Sequence, residues 1–213
     1  MIVDISVLNA PRDNLDGYFK NINNCPIVHL DVMDGKFVPN YTFGAEFVKE
    51  VHLATPRSIC DVHLMVEDPN SYMEDMKEAG ADYLTFHYEV GDIERRIDKI
   101  HSLGMKAGLS IKPATDVKVL DPYLEKLDYI LIMSVEPGKG GQEFLSNSIE
   151  KVKYLKEYKT SHKLHYLIAI DGGINMRTGQ LVKEYCDLGI VGSAITKAEN
   201  YVEAYYAHLK ALF

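Results

Sequence analysis

The chain has 213 residues, room for one large domain or two small ones, and its 46% hydrophobic and 25% charged content is that of an ordinary globular protein. A net charge of −8 speaks against a nucleic-acid surface, which is normally basic, and no apolar run approaches the ~20 residues of a membrane span. The charge leaves room for an anionic small molecule, because backbone N–H groups can cradle a phosphate in an acidic protein. Along the chain, short apolar, β-rich runs alternate with amphipathic stretches of helical length. The strand-like runs fall at residues 2–8, 27–32, 58–66, 83–87, 106–111, 129–133, 165–170 and 188–191. Helical patterns separate them at 15–22, 45–53, 71–79, 92–103, 116–124, 146–158 and 178–185, and a last one at 200–212 follows the eighth strand. Asp68-Pro69-Asn70 reads as a helix start, and Gly80 and Gly104 read as helix stops.

Eight β/α units with strands apolar enough to be buried on both faces predict an α/β fold, a single-domain (β/α)₈ TIM barrel over residues 1–213. No composition break or low-complexity segment marks a linker. A doubly wound open sheet is the competing arrangement, but no Gly-x-Gly-x-x-Gly follows the first strand. Cys25, Cys60 and Cys186 are odd in number, widely spaced and without a Cys-x-x-Cys pair, so they read as reduced packing residues. The first residues carry no basic region followed by an apolar core, and the expected location is the cytoplasm.

In a barrel, chemistry belongs at the carboxyl ends of the strands. Those ends carry Ser6, His29 and Asp31, Asp61 and His63, His87 and Glu89, Lys112, Ser134, Asp171, and Gly192-Ser193. Residues two apart on a strand share a face, so His29 projects beside Asp31 and Asp61 beside His63. His29, Asp31, His63 and Asp171 together offer two imidazoles and two carboxylates, a set suited to one divalent metal ion. Zn²⁺ is the first choice, with Fe²⁺, Mn²⁺ or Co²⁺ as alternatives. Asp61 is placed either to hold the neighbouring imidazole in one tautomer or to make a barrel-interior hydrogen bond. Asp34 is expected to cap the turn at Gly35. Met33, Met65 and Met133, each at or just past a strand end, form a soft apolar site wall or fill the core.

Glu136-Pro-Gly-Lys-Gly-Gly-Gln142 follows the sixth strand, Asp171-Gly172-Gly173 closes the seventh, and Gly192-Ser193-Ala194 closes the eighth. Glycines there let N–H groups turn toward an anion, and a barrel's phosphate site commonly uses these last loops. Gly138, Gly140, Gly141, Gln142, Gly172, Gly173, Gly192 and Ser193 are the candidate phosphate contacts.

These words in this order resemble the ribulose-phosphate 3-epimerase family through nearly the whole chain: His29-Leu-Asp-Val-Met-Asp-Gly35, Phe37-Val-Pro-Asn40, Asp61-Val-His-Leu-Met-Val66, Met133-Ser-Val135, Gly140-Gly-Gln142, Asp171-Gly-Gly173 and Gly192-Ser-Ala194. The resemblance implies an isomerase of carbohydrate metabolism, in the pentose phosphate pathway, that interconverts D-ribulose 5-phosphate and D-xylulose 5-phosphate. It implies metal ligation by His29, Asp31, His63 and Asp171, acid–base roles for Asp31 and Asp171, and substrate contacts from Ser6, His63 and Asp171 beside the phosphate loops. It also implies a homo-oligomer, dimer or hexamer, with neither nucleic acid nor membrane as partner. Glu136 and Lys139 depart from the family's usual asparagine and phenylalanine. The alternatives are an epimerase for a six-carbon ketose phosphate such as D-allulose 6-phosphate, a metal-free phosphosugar isomerase or lyase, and a non-catalytic phosphometabolite-binding barrel.

Overall fold

Eight parallel strands close into a barrel in the order of the sequence, in a computed structural model that describes residues 1–22 and 25–213. They are β1 (Ile2–Ser6), β2 (Ile27–Met33), β3 (Ile59–Met65), β4 (Tyr83–His87), β5 (Lys106–Ile111), β6 (Tyr129–Met133), β7 (Leu167–Asp171) and β8 (Leu188–Val191). Around them lie α1 (Leu15–Asn21), α2 (Ala45–Ala54), α3 (Met73–Glu78), α4 (Ile93–Ser102), α5 (Asn147–His162), α6 (Ser193–Thr196) and α7 (Tyr201–Leu212). The result is the expected single-domain TIM barrel. Among the described residues no helix is long and apolar enough to cross a membrane, and the three cysteines are free and buried.

Every residue of β2 and of β6 is buried, as strands covered on both faces require. Alternation then sorts the side chains. Val28, Leu30, Val32, Val62, Leu64, Leu84 and Phe86 join the large core between strands and helices. Ile27, Tyr129, Leu131, Met133, Ala169, Leu188 and Ile190 make a smaller apolar cluster on the axis. The rest of the axis is polar: Asp4, Ser6, His29, Asp31, Asp61, His63, Thr85, His87 and Ser110 are none of them more than 5% exposed. Buried polar groups on that scale persist only when they satisfy one another.

Three of the expected helices differ. Residues 116–124 form a 3-10 stretch (Val117–Tyr123), because Pro122 has no N–H to give an α-helical ladder and Asp116 caps the tighter turn through Lys118 N. Residues 178–185 make only one 3-10 turn (Gly179–Leu181) followed by irregular turns. There α7 packs so closely that a Cβ on Gly179 would lie 2.5 Å from Leu212. The segment from residue 71 splits into a 3-10 turn (Pro69–Ser71), capped by Asp68, and α3. Gly80 and Gly104 stop their helices as expected, each two residues past the last helical one. Short α6 carries too few residues to show a period. The seventh strand begins and ends later than 165–170, at Leu167–Asp171, and so includes its terminal aspartate.

The amino-terminal rim has its own repeat. Asp82, Asp128 and Asp187 each immediately precede an even-numbered strand and accept the backbone N–H of the second residue of the strand before. The partners are Cys60 (2.8 Å), Ala107 (3.0 Å) and Ile168 (2.9 Å). Asp128 also receives His101 Nε2 at 2.7 Å and Lys106 Nζ at 2.9 Å. Burial alone would raise the Asp128 carboxyl, but Lys106, His101 and the Ala107 amide outweigh it and hold the carboxyl below its usual value. A carboxyl lowered in the folded state stabilises above its unfolded pKa of ~3.9, and that contribution disappears as pH falls through the folded value. Asp128→Ala therefore costs about 1–3 kcal/mol at pH 7 by leaving the Ala107 N–H unpaired. In chemical denaturation the gap to wild type narrows at pH 3; an equal gap at both pH values contradicts the assignment.

Candidate active site

The register between β2 and β3 sets His29 opposite Asp61 and Asp31 opposite His63. Period two turns all four toward the barrel axis, and β6–β7 pairing brings Met133 level with Asp171 at the same mouth. His29, Asp31, His63 and Asp171 each present one ligand atom, and the four atoms lie within 4.8 Å of one another. His29 Nε2 and His63 Nδ1 stand 3.3 Å and 3.2 Å from the same oxygen, Asp31 Oδ1. The predicted quartet is thus gathered at one point. Ser6 joins it by donating to Asp31 Oδ2 at 3.2 Å.

Asp61 is where one expectation needs correction. It does not serve His63, its neighbour in sequence, but His29 across the strand pair. His29 Nδ1 lies 2.7 Å from Asp61 Oδ2, and Tyr129 donates its hydroxyl to the same oxygen at 2.9 Å. Spacing within a strand says which residues share a face; only the register says which meet. His63 instead turns Nε2 to His87 Nε2 at 2.9 Å, and His87 Nδ1 reaches Glu89 at 3.2 Å. Asp4, assigned no role from the sequence, is fully buried 3.9 Å from His29 Nδ1. Its signal was a carboxylate two residues before Ser6, hence on the same inward face.

Above the quartet opens a cavity. Ser6, Asp31, Met33, Met65, Met133, Gly138, Gly140, Gly141, Gln142, Asp171, Gly172, Gly173, Gly192 and Ser193 all line it, as expected. His63 does not: it is fully buried below the lining, so of its two expected positions only the one in the cluster is observed. Gln142 spends its amide on the loop itself, donating to the carbonyls of Glu136 and Lys139 at 2.7 Å each. Ser134 clamps the end of β7 by donating to the Asp171 and Gly172 carbonyls. Asn40 ties the loop after β2 to the glycine loop through Gly138 O at 2.7 Å, and Asp34 caps its turn by accepting from Lys36 and Phe37 N. A cation missed in the sequence also belongs here. Lys197 Nζ lies 3.6 Å from where a Gly141 Cβ would be, one turn past the start of α6.

The two cavity carboxyls are driven in opposite directions. Burial pushes Asp171 up, and the neighbouring Asp31 pushes it further, to about 7. Burial raises Asp31 too, yet His29 and His63 outweigh that cost and hold it well below the usual range. Burial lowers the His29 imidazole, but Asp31 and Asp61 overcome it and raise His29 well above its ordinary value. Burial brings His63 down, and Asp4 up, the latter helped by Asp61.

Fold and site together define a TIM-barrel enzyme with two imidazoles and two carboxyls gathered at the carboxyl ends of its strands. The chain belongs to the ribulose-phosphate 3-epimerase family: that family's model, described as Ribulose-phosphate 3 epimerase family, matches residues 2–196. It is 40% identical over 188 residues to the ribulose-phosphate 3-epimerase of Aquifex aeolicus, covering 87% of this chain and 84% of that protein. With the ribulose-phosphate 3-epimerase of Treponema pallidum it shares 43% identity over 193 residues, 89% of this chain and 88% of that one. A crystal structure of KGPDC from Streptococcus mutans superposes with a TM-score of 0.76 at 14% identity, over 99% of this chain and 96% of that chain. At that identity the likeness speaks for the fold alone.

Gly172 holds the junction of the cavity's two sides. Its φ is +120°, and a Cβ would fall 2.6 Å from Val135 Cγ2 and 2.8 Å from the Val135 backbone nitrogen. Gly172→Ala has to move the loop after β6, at a cost of about 1–3 kcal/mol. Thermal unfolding should shift down by several degrees, and an unchanged midpoint contradicts this account.

Proposed function

We propose that the protein is a metal-dependent 3-epimerase that interconverts D-ribulose 5-phosphate and D-xylulose 5-phosphate by two-carboxylate proton transfer. The observation that carries the reading is the pairing of Asp31 and Asp171. These are two carboxyls at one cavity floor whose surroundings push one to be ionised and the other protonated. The names of the relatives supply the substrate, and the glycine-lined side of the cavity, with Lys197 beside it, suits its phosphate.

The donor set fits a divalent ion. His29 gives its Nδ1 proton to Asp61, which leaves Nε2 facing the cluster, buried and without a hydrogen-bond partner. Two imidazole nitrogens converge on one carboxylate oxygen at 3.2 Å and 3.3 Å, an arrangement that ring protons or a shared cation would satisfy. The four candidate ligand atoms lie within 4.8 Å of one another, close enough to share one ion. An ion held by His29, Asp31, His63 and Asp171 supplies a Lewis acid that stabilises negative charge on the substrate's oxygens. The N/O set suits Zn²⁺ first, then Fe²⁺, Mn²⁺ or Co²⁺.

In this reading, Ser6 and the glycine loops hold the sugar phosphate across the cavity, and the three methionines keep water from the reacting carbon. Asp31, ionised, removes the proton from that carbon of one epimer; the electron pair passes into an enediolate. Asp171, protonated, delivers its proton to the opposite face and completes the inversion. The reverse reaction exchanges the two roles.

In deuterated solvent, Asp171→Asn should still exchange the proton of one epimer, Asp31→Asn that of the other, while each loses at least ~10²-fold in epimerisation. Full epimerisation by either variant removes the two-carboxylate scheme. Metal analysis of the isolated protein, with turnover on ribulose 5-phosphate and allulose 6-phosphate before and after chelation, tests the rest. Undiminished turnover in a metal-free sample overturns the ion's role, and preference for the six-carbon sugar overturns the substrate.

A further inference from the structure

Asp31 and Asp171 both stand where their strands run out of ladder, and a hydroxyl from another element holds the main-chain carbonyl of each. In a parallel pair, every second residue offers both its N–H and its C=O to the same neighbour. On the edge of β2 that faces β1, these residues are His29, Asp31 and Met33. The β1 ladder ends with Ser6 opposite His29, and Val7 N donates to His29 O at 3.0 Å. Residues 8 and 9 then turn away, which leaves the next positions on that edge without a strand partner.

Thr42 takes the vacant place. The loop after β2 folds back through Gly35, at φ +73°, and a bridge between Asp34 and Tyr41, so Thr42 lies alongside the strand it follows. Its hydroxyl donates to Asp31 O at 2.7 Å and accepts from Met33 N at 2.9 Å, and its own N–H donates to Met33 O at 3.3 Å. Phe43, the next residue, is buried against Phe47 of α2 with ring centres 4.4 Å apart, which anchors Thr42 to the helix layer. At β7 the same part falls to Ser134. The last rung between β6 and β7 sets Met133 opposite Asp171. Ser134, one residue on and fully buried, donates its N–H to Asp171 O at 2.7 Å. Its hydroxyl proton is shared between Asp171 O at 2.8 Å and Gly172 O at 2.7 Å. Neither Thr42 nor Ser134 lines the cavity. A strand end with unpaired backbone groups frays, its side chain moves with it, and proton transfer to or from carbon tolerates little of that.

We propose that Thr42 and Ser134 are positioning residues, Thr42 fixing Asp31 and Ser134 fixing Asp171, each through the main chain of the carboxyl it serves. The inference rests on the two-carboxylate reading above and goes beyond it by assigning each hydroxyl to one half of the reaction. Loss of either hydroxyl impairs proton exchange from one epimer and spares the other.

The experiment is solvent-deuterium exchange into each epimer separately, on metal-loaded protein at equal metal content. Asp31→Asn and Asp171→Asn first identify the epimer that each carboxyl serves. Thr42→Val keeps the shape and removes the hydroxyl. It should slow exchange about 10-fold for the epimer lost in Asp31→Asn, through kcat rather than KM, and leave the other within about twofold. Thr42→Ser should restore the wild-type ratio of the two rates, and Ser134→Ala should give the opposite asymmetry. Equal loss for both epimers, no loss, or loss of the wrong one overturns the proposal, even with a lowered melting temperature, which is all that a structural role would give. Should Thr42→Val not fold, Ser134→Ala makes the same test with the sign reversed. If Asp31→Asn and Asp171→Asn fail to separate the epimers, the two-carboxylate reading itself fails and takes this assignment with it; if they separate them and the hydroxyl variants do not, the positioning role alone falls.

Discussion

Everything at the barrel mouth depends on one costly arrangement, the burial of His29, Asp31, Asp61 and His63 between two adjacent strands. An unpaired charge taken from water into a protein interior loses several kcal/mol of hydration, which the interior must return through hydrogen bonds and opposite charge. Here the return comes from alternation across the pair. Each imidazole on one strand faces a carboxylate on the other, His29 against Asp61 and Asp31 against His63. A one-residue slip between β2 and β3 would set each of these polar residues against an apolar neighbour and turn half of them into the helix layer. The site thus specifies the register as much as the register builds the site.

The second consequence is a division of labour by depth. Outside the cavity lining lie Asp61 with Tyr129, Asp4, and the His87–Glu89 pair, which hydrogen-bond or flank the outer ring nitrogens of His29 and His63. Above them, Asp31 and Asp171 reach the cavity, and the glycine loops after β6, β7 and β8 form its other side. The histidines are buried from solvent against side-chain partners, whereas the two carboxyls Asp31 and Asp171 border the cavity.

Much of this was legible in the sequence because it follows from spacing within one element. Short apolar, β-rich runs located all eight strands, and the i, i+2 pairs on β2 and β3 marked the polar face. Glycine-rich words after the last three strands marked the cavity's other side. What was not legible depends on contact between elements. Asp61 looked like a partner of His63 because the two share a strand, yet its partner is chosen by the neighbouring strand. Lys197 enters through α6, four residues long and invisible to any periodicity argument. Segments 116–124 and 178–185 have helical spacing in their apolar residues, but Pro122 in one and the press of α7 on Gly179 in the other favour tighter turns. Asp4 sat in plain view two residues before Ser6 on an apolar strand, and its partner, His29, is chosen by the neighbouring strand.

The opposed tendencies of Asp31 and Asp171 also follow from topology. Both are buried, and burial alone would keep both protonated. Asp31 lies on the strand that carries His29 and beside the strand that carries His63, so two imidazoles act on it at 3.2–3.3 Å. Asp171 stands on β7, whose inward neighbours are Leu131 and Met133 on one side and Ile190 on the other. It is left with the repulsion of Asp31 and Asp61, which the His29 charge and the Gly172 backbone N–H do not outweigh. Inverting a carbon centre takes a base and an acid at once, on opposite faces of a planar intermediate. This barrel seats one carboxyl among imidazoles and the other among aliphatic side chains, on β2 and β7, with β8 and β1 between them, the arrangement on which the proposed two-carboxylate reading draws.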